Sequence, residues 1–283
     1  MLLGWIAASA VQHQRGLRAW VPLAAAASFV LIKRVDGAPW LRVLVLLMLA
    51  GAGADWARRR RPWISSRLLA GITFPVLAGT WIVMAARWHS EAHTSRRPAL
   101  DADRPLLCVG DSLAAKGFPR RLPGRVKMPV VDLAFPGITA AEGRELLAEG
   151  LRFRPLAVVI ELGGHDFLKG RSRAETMSEL EAMIHACRAA GAEPILFEIP
   201  RGVVMDGFGG LERELARRHD VELIGDGAIR QLIFFSPLTP LSWTGRTLSN
   251  DGLHPNDRGH EFLAGRIVDA LVRIYGSAIL RDP

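Results

Sequence analysis

Two short stretches, far apart in the chain, carry the residue types of acyl-transfer chemistry. The first is Gly110-Asp111-Ser112, which follows the apolar run Leu106 to Val109; the second is Asp251-Gly252-Leu253-His254-Pro255-Asn256. A serine hydroxyl is a poor nucleophile until a base within hydrogen-bond reach takes its proton, and His254 is the candidate base. Asp251, three residues earlier on the same turn, can hold the imidazole in the tautomer that offers a free nitrogen to Ser112. With Leu113-Ala114-Ala115 expected to begin a helix, Ser112 falls at a strand-to-helix turn, near amides whose dipoles favour a developing negative charge. Each stretch also has a plainer reading. Gly-Asp-Ser turns serve structure in many chains, and the hexapeptide suits a polar cap on a final helix over Asp257 to Ile274.

These residues need a frame, and from Arg104 onward short β-rich runs alternate with amphipathic helical stretches, the pattern of a parallel sheet wrapped by helices. The strand candidates are Leu106 to Val109, Val130 to Phe135, Ala157 to Leu162, Pro194 to Ile199 and Val221 to Ile224; the helix candidates are Ala140 to Gly150, Arg173 to Gly191 and Gly209 to His219. In such sheets ligands bind at the carboxyl ends of the strands, and Ser112 falls at one of them.

Gly110-Asp111-Ser112 after the first strand, with Asp251 and His254 before the last helix, resembles the SGNH (GDSL) hydrolase family over roughly residues 104–276. Two intermediate blocks resemble the family's in the same order, Asp132-Leu133-Ala134-Phe135-Pro136-Gly137-Ile138-Thr139 and Gly163-Gly164-His165-Asp166. The resemblance implies a flavodoxin-like three-layer αβα sandwich with a five-stranded parallel sheet, and an esterase working through an acyl-enzyme. Ser112 would attack the ester carbonyl with His254 as general base. The oxyanion would lie between the amides of Ser112 and Gly137, and no cofactor or metal is required. Where the family has an asparagine that donates to the oxyanion, this chain has His165, which can donate one NH in the right tautomer or serve only as a structural or surface histidine. Asp132 and Ala134 stand where asparagine and glycine are common, and Asp111 and Asp166 read as braces for their turns.

The charge is divided unevenly. The net +8 arises in residues 1–100, which hold 13 Lys and Arg against 3 Asp and Glu, whereas the other 183 residues hold 23 against 25. The basic residues bracket apolar runs instead of forming a basic face on a folded domain, which argues for a membrane region and against nucleic-acid binding. Leu68 to Ala86 gives 19 uncharged residues, close to the roughly 20 that span a bilayer core. Ala19 to Ile32 and Val43 to Ala54 are shorter and either span by snorkelling or lie as an interfacial hairpin. The organisation expected is a membrane region over 1–87, a linker over 88–103 and a hydrolase domain over 104–278. Arg58, Arg59, Arg60, Arg61 and Arg67 place their loop on the cytoplasmic side, and the domain that follows outside the cytoplasm. A signal peptide ending at Ala8-Ser9-Ala10 is the competing reading, although no basic residues precede its short apolar core.

Cys108 and Cys187 match no disulfide framework or metal-ligand spacing and read as small buried hydrophobes. The segment from Ala228 to Trp243 is dense in apolar side chains, among them Phe234, Phe235 and Trp243, and forms either an acyl pocket beside the histidine or ordinary core. Three functions are consistent with these residues. The first is hydrolysis of a glycan O-acetyl or acyl-lipid ester at a membrane, the second O-acyl transfer to a glycan outside the cytoplasm, and the third a silent binding domain.

Overall fold

The computed structural model describes residues 92–201, 206–237 and 247–281. The apolar segments 19–32, 43–54 and 68–86 lie outside the described residues, and among those described no helix is long and apolar enough to cross a membrane.

Five parallel strands make one sheet: β1 (Leu106–Gly110), β2 (Val130–Asp132), β3 (Ala157–Glu161), β4 (Glu193–Phe197) and β5 (Glu222–Ile224), in the order β2-β1-β3-β4-β5. That is the flavodoxin-like doubly wound order, in which the switch point lies between β1 and β3. The helices are α1 (Ala140–Gly150), α2 (Gly164–Leu168), α3 (Arg173–Ala189), α4 (Leu211–His219), α5 (Gly227–Phe234) and α6 (Asp257–Tyr275). β1, β3 and β4 are buried throughout, as near-continuous apolar strands of a sheet covered on both faces must be.

The two-residue period of the strands sorts their side chains into two cores. Leu106, Cys108, Val159, Ile195 and Phe197 pack with Ala228 and Leu232 of α5 and with Leu263, Ile267 and Leu271 of α6. Leu107, Val109, Val158, Ile160 and Leu196 pack with Leu147 of α1, Leu180, Ile184 and Cys187 of α3, and Leu211 and Leu215 of α4. Each fully buried side chain of this size contributes about 1.5–3 kcal/mol. Both cysteines lie in these cores, where burial pushes their thiols up, that of Cys187 to about 12, and keeps them inert.

Local signals fix the helix starts. Thr139 and Glu142 form a capping box on α1, and Ser172 and Glu175 form another on α3. Asn256 accepts from the Gly259 amide at 3.0 Å and so starts α6. Residues 92–97, within the stretch whose composition reads as a linker, run extended along β5. The Leu223 amide donates to the Ala92 carbonyl at 2.9 Å, the Thr94 amide to Glu222 Oε2 at 3.1 Å, and the Ser95 amide to Asp220 Oδ1 at 2.8 Å.

Two local expectations differ from the structure. No helix follows Ser112; residues 112–116 form turns, closed by the Ala115 amide on the Asp111 carbonyl at 2.9 Å. Lys116, with φ of 58°, and Gly117, which abuts His260 of α6, end the turn before a 3-10 segment at Phe118–Arg121. β2 is shorter than its β-rich sequence, because the Asp132 side chain turns back to accept from the Ala134 amide at 3.1 Å.

Candidate active site

The carboxyl ends of β1 and β3 bring the separated blocks together. Gly110 pairs with Glu161 across the switch point. An added Cβ at Gly110 would stand 2.6 Å from Ala114 Cβ and 2.9 Å from Glu161 Oε2, so only glycine lets the serine turn fold this tightly against β3. The Asp111 amide donates to the Glu161 carbonyl and to its Oε2, both at 3.2 Å. Asp111 Oδ1 accepts from the Leu113 amide at 3.1 Å, bracing the turn that leaves Ser112 half-buried.

The second block arrives by extending the sheet ladder. The Leu133 amide donates to the Cys108 carbonyl at 2.8 Å and the Phe135 amide to the Gly110 carbonyl at 3.1 Å, which lays residues 133–135 along the end of β1. Gly137 has φ of 84° and open space where a Cβ would lie. The third block begins at Gly163, with φ of 105° against the Arg201 guanidinium, and continues into α2 with His165 in its first turn. Asp111 Oδ2 would be 3.1 Å from a Cβ on Gly164, so first and third blocks are in contact. Buried Asp166 accepts from the Ala140 amide at 2.8 Å and ties the third block to the start of α1.

Asp251 and His254 occupy a loop folded onto α6. The Leu248 amide donates to the Phe235 carbonyl at 2.7 Å, and the Asn256 amide to the Leu248 carbonyl at 2.9 Å. Gly259 permits this, since a Cβ there would strike the Leu248 carbonyl oxygen at 2.1 Å. Within the loop Asp251 Oδ2 meets His254 Nδ1 at 2.8 Å, while Oδ1 accepts from the His254 amide at 2.7 Å, the Leu253 amide at 2.8 Å and Ser249 Oγ at 3.0 Å. The bond to His254 first, and then the backbone amides, hold the Asp251 carboxyl well below the usual carboxylate range. The hexapeptide therefore serves both readings, with Asn256 capping α6 and Asp251 gripping His254.

Electrostatics link three blocks. Burial raises the Asp111 carboxyl above its ordinary range, against the Leu113 amide and the smaller downward pulls of His165 and His254. Behind it Glu161 is fully buried, and burial followed by the Asp111 charge raises its carboxyl well above the usual range. Each carboxyl disfavours the other's ionised form, while the Asp111 amide and the Arg201 charge pull Glu161 the other way. Phe235 is half-buried and ties the end of α5 to the loop before Asp251; the Phe234 side chain and Trp243 lie outside the described residues.

Sequence reasoning missed the charged framework under the third block. Buried Arg201 donates from Nε to the Gly163 carbonyl at 2.8 Å and makes two contacts to buried Glu212. Buried Arg213 pairs with Glu198 at 2.5 Å, and Glu198 Oε2 also accepts from the Asp226 amide at 3.0 Å. Burial outweighs the pull of Arg201 and pushes the Glu212 carboxyl up to about 7. The one available signal was Glu161 itself, a carboxylate at the end of an otherwise apolar strand.

A doubly wound five-stranded parallel sheet with Gly110-Asp111-Ser112 at the carboxyl end of β1 is the architecture of an SGNH-type α/β hydrolase. Residues 108–262 match the model of the GDSL-like Lipase/Acylhydrolase family. The chain belongs to this family and is an ester hydrolase of its class. It is 29% identical over 198 residues to the Thioesterase 1/protease 1/lysophospholipase L1 of Escherichia coli (strain K12), covering 63% of this chain and 89% of that protein. It is 27% identical over 193 residues to an arylesterase of Vibrio mimicus, covering 62% and 92%. Among solved structures, a crystal structure of TesA aligns with a TM-score of 0.49 at 26% identity, covering 59% of this chain and 98% of that one.

Proposed function

We propose that this protein is a membrane-anchored serine ester hydrolase in which Ser112 is the nucleophile, His254 the general base and Asp251 the residue that orients it. The observation that carries this reading is the 2.8 Å contact of Asp251 Oδ2 with His254 Nδ1, because it assigns the Nδ1 proton to the aspartate side and leaves Nε2 free to take a proton. Ser112 Oγ attacks the ester carbonyl as its proton passes to His254. The tetrahedral oxyanion is met by the amides of Ser112 and Gly137 and by a ring NH of His165; His254 then returns the proton to the leaving alcohol. Water, deprotonated by His254, attacks the acyl-enzyme and releases the acid.

The substrate class is a glycan O-acetyl or an acyl-lipid ester. Exposed apolar side chains favour an acyl chain: Phe135 follows the second block, Phe167 and Leu168 extend from the third, and Leu253 adjoins His254, at 55%, 38%, 70% and 55% exposure. Single exposed apolar residues are ordinary, but four beside the catalytic turns suit a lipid substrate. The uncharged segment 68–86 and its arginine flanks support membrane attachment with the catalytic domain outside the cytoplasm. The test follows acid release from p-nitrophenyl esters of increasing acyl length by the full chain in detergent. Hydrolysis in water, faster with longer chains, is expected. Turnover that needs a glycan acceptor would replace hydrolysis by O-acyl transfer, and none with any ester or acceptor would leave a silent binding domain. A reporter fused after Pro283 that is active only in the cytoplasm would overturn the proposed topology.

A further inference from the structure

A second cluster of reactive side chains lies at the other edge of the sheet. Glu181 and His185 are one turn apart on α3 and therefore share a face of that helix. His219 is the last residue of α4, and its Nε2 lies 2.6 Å from Glu181 Oε1. The His185 and His219 rings meet edge to face, with centroids 4.9 Å apart. One ligand atom from each of the three residues falls within 4.8 Å of the others. The histidines and the glutamate are 38 residues apart at their widest in sequence and converge only because α3 and α4 pack through Leu180, Ile184, Leu211 and Leu215.

We propose that Glu181, His185 and His219 bind a transition-metal ion of the Zn2+ class and thereby cross-link α3 to α4. Two imidazoles and one carboxylate are a nitrogen-rich donor set that suits zinc and its neighbours and not magnesium or calcium, which take oxygen ligands. Bonds of about 2.0–2.1 Å put the ligand atoms of a tetrahedral site about 3.4 Å from one another, so the Glu181–His219 pair, now 2.6 Å apart, opens slightly and His185 closes on it. His185 is exposed and free to make that adjustment, while the packed helices hold the backbones still. Water takes the fourth position. The carbonyls at the end of α4 also favour a cation. Arg218 opposes it, through a 3.2 Å contact with Glu181 Oε1, but Arg218 is half exposed and keeps its 2.7 Å partner Glu214 when the metal displaces it. The site is remote from the ester chemistry by topology. α3 and α4 end just before β4 and β5, so the ligands lie toward the amino edge of the sheet, whereas Ser112 lies at the carboxyl edge.

The test titrates the tag-free full chain with Co2+, followed by its visible absorption, with Zn2+ as competitor and calorimetry for stoichiometry. One equivalent is expected to bind, and zinc is expected to raise the melting temperature. His185→Ala and His219→Ala should each weaken binding at least about ten-fold, the low end of what even an outer partner of a ligand is worth. His185→Cys should restore it by supplying a thiolate, and esterase turnover should be unchanged in all three. No one-equivalent binding, or binding that survives in the His185→Ala/His219→Ala double variant, overturns the proposal.

Discussion

Replacing Asp251 by asparagine separates orientation of the histidine from construction of the loop. Asp251 Oδ1 holds the Leu253 and His254 amides, a role the asparagine carbonyl keeps, and only Oδ2 faces His254 Nδ1. The new NH2 group presents a donor to Nδ1, so the proton moves to Nε2, the atom that should accept from Ser112. In a buried triad that reversal costs about 10⁴ in kcat. Here the side chains of Asp251 and His254 are 54% and 47% exposed, so solvent screens the pair. A hydrogen bond to a charged group is then worth about 1.5–3 kcal/mol, which at 1.36 kcal/mol per decade is about 10–150-fold in kcat. The assay is steady-state hydrolysis of a p-nitrophenyl ester by Asp251→Asn, with KM expected to stay near the wild-type value. Activity within two-fold of wild type would refute the orienting role. A loss of 10⁴ or more would refute the screening argument instead, by showing a sheltered carboxylate in the working enzyme.

Three further predictions concern the framework. His165→Ala should lower kcat by about 10²–10³, the usual worth of one oxyanion donor, and His165→Asn should recover most of it; unchanged rates in His165→Ala would make the ring structural. Glu212→Ala leaves the Arg201 charge buried and should destabilise the fold by about 3–5 kcal/mol in chemical denaturation, whereas Arg201→Met with Glu212→Leu should cost far less. Glu161 has a folded pKa raised above its unfolded value, so stability present below about pH 4.5 is lost as pH rises from there toward the raised pKa. Glu161→Gln, which stays neutral and can still donate to Asp111, should remove that decline, and melting curves of wild type and variant that remain parallel from pH 4 to 8 would contradict it.

The strands and long helices were legible because their signals are local. Thr139 with Glu142 and Ser172 with Glu175 announce α1 and α3, and apolar runs ending in glycine or a charged residue announce the strands. The serine and histidine turns were legible as motifs, and their neighbours Asp111 and Asp166 act as the braces the sequence suggested. The turn after Ser112 was not, since Leu113-Ala114-Ala115 favours a helix locally, whereas the chain turns out of helical geometry at Lys116, with φ of 58°, and packs Gly117 closely against His260. Nor were Arg201, Arg213, Glu198 and Glu212: Glu212 and Arg213 look like a solvated helix face, and Glu198 and Arg201 like the polar end of a strand, until tertiary pairing buries them. Glu181, His185 and His219 were invisible for the same reason, because no spacing in the sequence foretells which helices will pack together.

The central claim is that Ser112 is activated by His254. The full chain is incubated with a fluorophosphonate that labels activated serines, beside Ser112→Ala and His254→Ala, with folding checked by circular dichroism. Labelling of wild type and of neither variant is the result expected. A folded wild type that does not label, or a Ser112→Ala protein that still does, would contradict the account.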